Sequence, residues 1–245
     1  MQKYVLRVNN LTVAYHNQPV LQQVSATIEA GVMLAIVGPN GAGKTTLLKT
    51  MLGLIKPVAG TVSFFGGTYV QHRARIAYVP QRTSVDWDFP ATVLDIVLMG
   101  RYGRLGWFKR PGSCDYAAAE HALEQVAMSA YAQHTINQLS GGQQQRVFLA
   151  RALVQDADLY LMDEPFVGID MATEQMLVQL LKKLRDAGKT IIMVHHDLQT
   201  LRDYFDWAWL INGRSIACGP LHEVFTQETM QMTYGRGMNV QQNLF

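Results

Sequence analysis

The sequence predicts an α/β protein built on a mainly parallel sheet. Four short apolar runs have the length and composition of buried parallel strands: residues 32–37, 76–79, 159–162 and 190–194. Stretches with helical periodicity separate these runs, and the most regular is an amphipathic segment at 173–187 that ends at Gly188. Strands that alternate with helices favour a parallel sheet covered by helices.

Two further segments predict antiparallel strands beside this core. Residues 11–28 alternate apolar and polar side chains around an Asn17-Gln18-Pro19 turn. Residues 208–211 and 215–217 indicate a hairpin across Asn212-Gly213. The predicted fold therefore adds antiparallel pairs to the parallel sheet.

The middle of the chain is mostly helical in pattern, from residue 90 to residue 154, with a Gly- and Arg-rich break at 100–112. We interpret it as an inserted helical lobe. The chain is then one domain, 1–245, with three parts. These are a core of about 1–85 and 156–225, a helical subdomain of about 86–155, and a C-terminal tail of about 226–245.

Composition narrows the class of protein. Of the 245 residues, 49% are apolar and 16% are charged. The net charge is only +2, so the composition does not indicate the concentrated basic surface that is typical of nucleic-acid-binding domains. Cys114 and Cys218 form no CxxC pattern. The N-terminus lacks a signal-peptide apolar region, and no apolar run approaches the ~20 residues that cross a bilayer. We expect a soluble, cytoplasmic chain that reaches a membrane only through a partner.

A phosphate-binding loop follows the first predicted buried strand and precedes a predicted helix at 45–52. Its glycines allow a tight turn that aims backbone N–H groups inward, and the helix N-terminus adds about half a positive charge. Lys44 can reach the β- and γ-phosphates, Thr45 can bind Mg²⁺, and Thr46 can donate to a phosphate oxygen. The predicted ATP-binding residues here are Gly38, Pro39, Asn40, Gly41, Ala42, Gly43, Lys44, Thr45 and Thr46.

Two acids end the apolar strand at 159–162, namely Asp163 and Glu164. Asp163 would hold Mg²⁺ through water, and Glu164 would act as general base on the attacking water, a role typically worth about 10²–10⁴ in rate. A solvated strand end is the alternative reading of two acids alone. Their pairing with the phosphate-binding loop favours a nucleotide site.

A third motif, Leu139-Ser140-Gly141-Gly142-Gln143, resembles the signature of ATP-binding cassette (ABC) ATPases. The resemblance extends along nearly the whole chain, because the other motifs of that family follow in its order: the loop at 38–45, Gln81, the signature, the acids at 163–164, Asp170 and His196. It implies a P-loop NTPase (RecA-like) core, an N-terminal antiparallel β subdomain, an inserted helical subdomain and ATP hydrolysis.

The signature residues begin a helix that we expect to run to about Gln155. The free N–H groups of that end and the Ser140 hydroxyl form a second anion site. In the family two subunits pack head to tail, so the resemblance implies a homodimer in which Ser140, Gly141, Gly142 and Gln143 contact ATP bound to the partner. A plain helix N-cap is the alternative role of Ser140.

The resemblance also implies roles for two polar residues that follow strands. Gln81 would contact Mg²⁺ and the attacking water, and His196 would contact the γ-phosphate and hold the catalytic glutamate. His195 is an alternative to His196, but neighbours on a strand point to opposite faces, so only one can face the nucleotide. The His196-Asp197 pair favours His196.

Two more residues are assigned by the resemblance. Asp170 matches the aspartate that couples the two ATP sites, although Val167-Gly168-Ile169 departs from the usual Ser-Ala-Leu before it. Tyr15 lies where the family places an aromatic ring that stacks on adenine. A tyrosine buried in the core is the alternative for Tyr15.

Aromatic and basic residues are concentrated between residues 79 and 111, including Trp87, Phe89, Trp107 and Phe108. They are typical of interface anchors, although packing within the lobe is the alternative. This stretch, Asp86-Trp-Asp-Phe-Pro90 above all, resembles the ATPases of manganese, zinc and iron importers.

That resemblance implies three features of the complex. They are an integral membrane permease partner, an extracytoplasmic metal-binding protein, and a peripheral position on the cytoplasmic face of the membrane. Manganese is the favoured cargo, and the cargo itself is not expected to touch this chain. An ATPase of another importer or exporter, or a soluble ABC ATPase, is the alternative.

Overall fold

The computed structural model describes residues 4–16, 18–106 and 109–235. Within them the strands, in chain order, are β1 (Tyr4–Tyr15), β2 (Gln18–Glu29), β3 (Met33–Val37), β4 (Ala59–Phe64), β5 (Ile76–Val79), β6 (Leu159–Asp163), β7 (Thr190–Val194), β8 (Trp207–Ile211) and β9 (Ser215–Pro220). The helices are α1 (Lys44–Met51), α2 (Tyr69–His72), α3 (Val93–Met99), α4 (Tyr102–Leu105), α5 (Ser113–Gln125), α6 (Gly141–Leu153), α7 (Met171–Asp186), α8 (Leu201–Tyr204), α9 (Leu221–Val224) and α10 (Gln227–Tyr234).

The chain divides into two compact units. The first comprises the described residues within Met1–Arg73 and Arg185–Phe245, and the second comprises those within Ala74–Leu184. In the first unit β3 lies between β7 and β8 and runs parallel to both, while β9 pairs antiparallel with β8. A separate antiparallel sheet has the order β2-β1-β4. The predicted α/β fold class with a parallel sheet is thereby confirmed.

Continuous apolar runs explain where the first unit buries its core. Every residue of β3 and β7 is buried, as the absence of alternation predicts. Helix α1 adds Leu47, Leu48 and Met51, each at most 1% exposed. Full burial of a large apolar side chain stabilises the fold by about 1.5–3 kcal/mol. This packing therefore fixes the position of α1 and of the loop that precedes it.

The antiparallel sheet is longer than the alternation at 11–28 predicts. β1 begins at Tyr4, and Asn10 interrupts its pattern with a positive φ of 47° at a register shift between Val8 and Leu11. β4 has no clear alternation because Ala59, Gly60 and Thr61 are all exposed.

The second unit contains one parallel pair and a helical cluster. β5 pairs with β6 in the register Ile76↔Leu159 to Val79↔Met162. Helices α3, α5 and α6 lie within the stretch that the sequence pattern predicts to be mostly helical, and the predicted break holds the four-residue helix α4. Arg101 closes this break by an ion pair with Asp115, its Nε lying 2.8 Å from Oδ1. The Gly112 amide and Arg101 both bond the Asp115 carboxylate and lower its pKa.

Helix α10 occupies the start of the segment that the sequence interpretation treats as a tail. Thr226 caps it, because its hydroxyl accepts from the Thr229 amide at 3.3 Å. Met230 and Thr233 are completely buried, and Asn212 Nδ2 donates to the Thr233 carbonyl at 2.9 Å. Among the described residues no helix is both long and apolar enough to span a bilayer.

Candidate nucleotide-binding and hydrolysis site

The loop between β3 and α1 presents backbone N–H groups at the start of a helix. Gly41 and Gly43 have φ values of 81° and 90°, which fold the loop back over α1. No side chain caps α1 at Gly43, and the start of a helix is a position where backbone N–H groups can donate to an anion. A Cβ at Gly43 would lie 2.6 Å from Leu21 Cδ2, so space as well as φ requires glycine there. This loop can therefore bind an anion such as a phosphate group.

Lys44 supplies the positive charge of the loop. Its side chain is only 8% exposed, and Nζ donates to the carbonyl oxygens of Gly38 at 2.8 Å and Pro39 at 3.0 Å. These two bonds hold the ammonium group against the loop. An ammonium group placed in this way is preorganised for phosphate oxygens, since the side chain needs little reordering to bind.

The two adjacent histidines after β7 differ in burial. His195 is 5% exposed, and its Nε2 lies 2.8 Å from Thr200 Oγ1. Burial, with a smaller effect of His196, lowers the pKa of His195 to about 4, so its ring is neutral near pH 7. The His196 side chain is exposed. Of the two, His196 is therefore the one that can reach a ligand.

Tyr15 lies at the end of β1, opposite Gln18 of β2, and is 43% exposed. This exposure does not fit a core tyrosine. The ring is free to stack on a planar group, as the sequence interpretation expects.

Within the second unit, the structure brings two of the predicted catalytic residues together. Gln81 Nε2 donates to Glu164 Oε2 at 3.0 Å, although the two residues are 83 positions apart in sequence. Glu164 has a φ of 50°, a left-handed conformation that costs of order 1–3 kcal/mol in a residue other than glycine. Such strain is concentrated at functional sites. Here the strained turn after β6 fixes the orientation of the Glu164 carboxylate.

Asp163, the last residue of β6, is completely buried. Burial, with a smaller contribution from the charge of Asp163, raises the pKa of Tyr78 to about 12. Tyr78 therefore stays protonated near pH 7. A buried carboxylate is stable only when donors or a cation offset its desolvation, which suits a residue that binds a metal ion.

The signature residues form the first turn of α6, as predicted. Ser140 Oγ accepts from the Gln143 amide at 3.4 Å, and Gln143 Oε1 accepts from the Ser140 amide at 2.8 Å. This reciprocal capping box realises the N-cap role of Ser140. The Ser140 hydroxyl proton can still be donated to an anion, so the capping role and an anion-binding role are compatible.

Asp170 caps the start of α7. Its Oδ1 accepts from the Thr173 amide at 3.0 Å, and its Oδ2 accepts from Thr173 Oγ1 at 2.8 Å. These bonds lower the pKa of the Asp170 carboxyl. Val167, which stands where the family usually has serine, is 42% exposed, and Met171 is 75% exposed. The segment thus presents apolar rather than hydroxyl groups at its surface.

The aromatic residues after Gln81 lie in different surroundings. Phe89 is 53% exposed, whereas the Trp87 ring packs edge-on against Phe148 of α6, with centroids 5.0 Å apart. Both line one groove together with Ile96 and Met99, which we name the aromatic groove. Trp107 and Phe108 are outside the described residues.

The sequence interpretation did not identify Arg82 as a residue of this site. Arg82 Nε donates to Gln144 Oε1 at 3.1 Å, which joins the Gln81 segment to the signature helix. No local pattern signals this bond because its partners are 62 positions apart.

Comparison with known proteins agrees with these motifs. A family model described as ABC transporter matches residues 21–167. The chain is 56% identical over 232 residues to the manganese transport system ATP-binding protein MntB of Bacillus subtilis (strain 168), covering 95% of this chain and 93% of that protein. It is 57% identical over 232 residues to the zinc transport system ATP-binding protein TroB of Treponema pallidum (strain Nichols), covering 95% and 87%.

A solved structure extends the comparison to three dimensions. The ATP-binding cassette MJ0796, in a dimeric post-hydrolysis state bound to ADP and Pi, superposes with a TM-score of 0.79 at 30% identity, covering 88% of this chain and 98% of that one. The family match spans more than half of the chain, and the sequence relatives span nearly all of it. The chain therefore belongs to the ABC transporter family and is an ATPase of that family.

Proposed function

We propose that this chain energises a membrane importer of a divalent transition metal, with manganese as the favoured cargo and zinc or iron as alternatives. One observation carries the proposal, which is the 56% and 57% identity to ATP-binding proteins of a manganese and a zinc transport system over 95% of the chain. The Asp86–Pro90 stretch, which resembles that importer group, supports the same cargo class. Within the described residues no group of three or more His, Cys, Asp or Glu side chains could hold a metal ion.

ATP would be held by the loop at 38–46, with Lys44 on the β- and γ-phosphates and Tyr15 stacked on adenine. The preorganised Lys44 ammonium and the uncapped start of α1 support the phosphate assignment. The exposed Tyr15 ring supports the adenine assignment.

Thr45, Gln81 and Asp163 would hold Mg²⁺. All three offer oxygen atoms, which are the ligands that Mg²⁺ prefers, and the buried Asp163 carboxylate would be offset by a cation. When bound, the ion neutralises charge on the phosphates.

Glu164 would accept a proton from the attacking water as its oxygen bonds to the γ-phosphorus, while the bond between that phosphorus and the ADP oxygen breaks. The Gln81 hydrogen bond and the left-handed turn support a fixed direction for the Glu164 carboxylate. His196 would contact the γ-phosphate. The proton would then pass from Glu164 to the released phosphate or to solvent. ADP and phosphate are thus the products, and the chain returns to its starting state.

The signature turn would complete the site of a second copy. Ser140, Gly141, Gly142 and Gln143 would contact ATP bound to the partner, and Asp170 would couple the two sites. The uncommitted Ser140 hydroxyl proton and the dimeric state of the related cassette support a homodimer that ATP closes and hydrolysis opens.

The remaining partners would be membrane components. An integral permease would seat a segment in the aromatic groove, whose exposed Phe89 supports an interface. The chain would then lie on the cytoplasmic face, as one domain whose helical subdomain of about 86–155 carries most of this contact. An extracytoplasmic metal-binding protein would deliver the cargo.

ATP turnover by the purified chain tests the chemical part of the proposal. Glu164→Gln keeps the size of the side chain and an acceptor for Gln81, so we expect intact folding, retained ATP binding, an ATP-trapped dimer, and a loss in kcat of about 10²–10⁴. The matched control is Glu120→Gln, which changes an exposed carboxylate on α5. Turnover by Glu164→Gln near the wild-type rate would show that another group is the base.

A further inference from the structure

Two residues of the second unit join the Gln81 segment to the signature helix. Arg82 Nε donates to Gln144 Oε1 at 3.1 Å. The other end of the same amide, Gln144 Nε2, donates to the Ile136 carbonyl at 3.1 Å. Gln144 is only 4% exposed, so both ends of its amide are committed and the oxygen is fixed toward Arg82.

The first turn of α6 is shaped to accept the Arg82 guanidinium. A Cβ built at Gly141 would lie 2.9 Å from both Cζ and Nε of Arg82. The guanidinium therefore rests directly on the backbone of the signature turn. A side chain at this position would have to displace it.

A second contact holds the same segment one turn further along α6. Trp87 Nε1 donates to the Arg82 carbonyl at 2.9 Å, and the Trp87 ring packs against Phe148. Gln144 and Phe148 are four residues apart, so they lie on one face of the helix. Residues 82–87 therefore contact α6 at two successive turns, through Gln144 and Phe148.

We propose that Arg82 and Gln144 are positioning residues that make the Gln81 segment and the signature turn move as one body. The inference rests on the proposed function, because it takes Gln81 and Glu164 as a catalytic pair. Gln81 bonds Glu164 and is the residue next to Arg82, so the Arg82–Gln144 bond sets where Gln81 can reach. A permease segment in the aromatic groove would then act on the base and on the signature turn together.

The test is the steady-state kinetics of ATP hydrolysis by the purified chain with three changes, Arg82→Met, Gln144→Met and the double variant. Loss of a hydrogen bond from a charged donor costs roughly tenfold. We expect each single variant to lower kcat about tenfold and to leave KM for ATP within about twofold, because the 38–46 loop is unchanged. Gln144→Met also removes the bond to the Ile136 carbonyl. The double variant should lose no more than Gln144→Met alone, because both single changes remove the same Arg82–Gln144 bond.

Controls separate this inference from loss of folding and from failure of the proposed function. Arg110→Met changes another exposed arginine and should behave as wild type. Melting temperatures report the fold, and Arg82 is exposed, so its variant remains informative even if the buried Gln144 variant unfolds. The inference would be overturned if Arg82→Met had the kcat of the wild type, or if the two single losses multiplied in the double variant. With Glu164→Gln inactive, either result would leave the proposed function standing. Turnover by Glu164→Gln would instead overturn the proposed function.

Discussion

Replacement of Gly142 by alanine should destabilise the chain far more than the same change at Gly141. The two glycines are adjacent in the first turn of α6, but their neighbours differ. A Cβ at Gly142 would lie 2.5 Å from the backbone oxygen of Gly168, whereas ordinary contact begins near 3.4 Å. At Gly141 the three atoms nearest to the Cβ all belong to the Arg82 side chain, which can move away.

The expected size follows from two opposing effects. The new Cβ and the Gly168 oxygen must move apart by about 0.9 Å, and because the oxygen belongs to the backbone this costs about 1–3 kcal/mol, as at other overpacked sites. Alanine in place of glycine in a helix returns about 0.5–1 kcal/mol in both variants. The variants should therefore differ by about 1–3 kcal/mol in free energy of unfolding. For a chain of this size that is about 2–12 °C in melting temperature.

Differential scanning calorimetry without nucleotide measures this difference. Gly141→Ala serves as the matched control, since it shares the helix, the position within the first turn and the chemical change. Equal melting temperatures, or a more stable Gly142→Ala variant, would refute the close approach between the signature turn and Gly168.

Three further results are expected. Lys44→Ala should weaken ATP binding about 10–100-fold, measured with a fluorescent ATP analogue, because it removes a charged donor to phosphate; unchanged affinity would contradict the loop assignment. His195 binds a proton at about pH 6.5 when unfolded but at about pH 4 when folded, so stability should fall by about 3 kcal/mol as pH drops through that window. Urea unfolding at a series of pH values should show that His195→Gln lacks this fall in the free energy of unfolding. A pH dependence equal to that of the wild type would contradict the lowered pKa of His195. Burial raises the pKa of Cys218 to about 12, so a thiol reagent at pH 8 should modify only the exposed Cys114 rapidly, and Cys114→Ser should abolish that reaction.

Local patterns were sufficient for elements that are buried on all sides. The predicted strand at 190–194 has the same bounds as β7, because five consecutive buried residues produce an unbroken apolar run. β1 begins seven residues before the predicted alternation, because the positive φ of Asn10 reverses the pattern where the strand bulges. The helix at 227–234 is mostly polar and is signalled mainly by its Thr226 cap.

The sequence motifs identify candidate site residues, whose roles stay predictions, but they do not indicate the contacts between those residues. The bond from Gln81 to Glu164 joins residues that no periodicity relates, and the bond from Arg82 to Gln144 is likewise formed only by the fold. The capping role of Ser140 was open to sequence reasoning, because a Gln three residues later forms the capping box. Burial distinguishes His195 from His196, which the sequence distinguished only by the rule of opposite faces and the His196-Asp197 pair.

Cellular metal content tests the central claim, that ATP hydrolysis by this chain drives metal import, most directly. Cells of the native host would carry wild type, Glu164→Gln or the Glu120→Gln control, and would be grown with limiting manganese, zinc and iron in turn. We expect Glu164→Gln to cause a selective loss of one metal, with manganese favoured, while the control retains all three. Unchanged content of every metal in Glu164→Gln cells would contradict metal import and leave the ATPase in need of another partner.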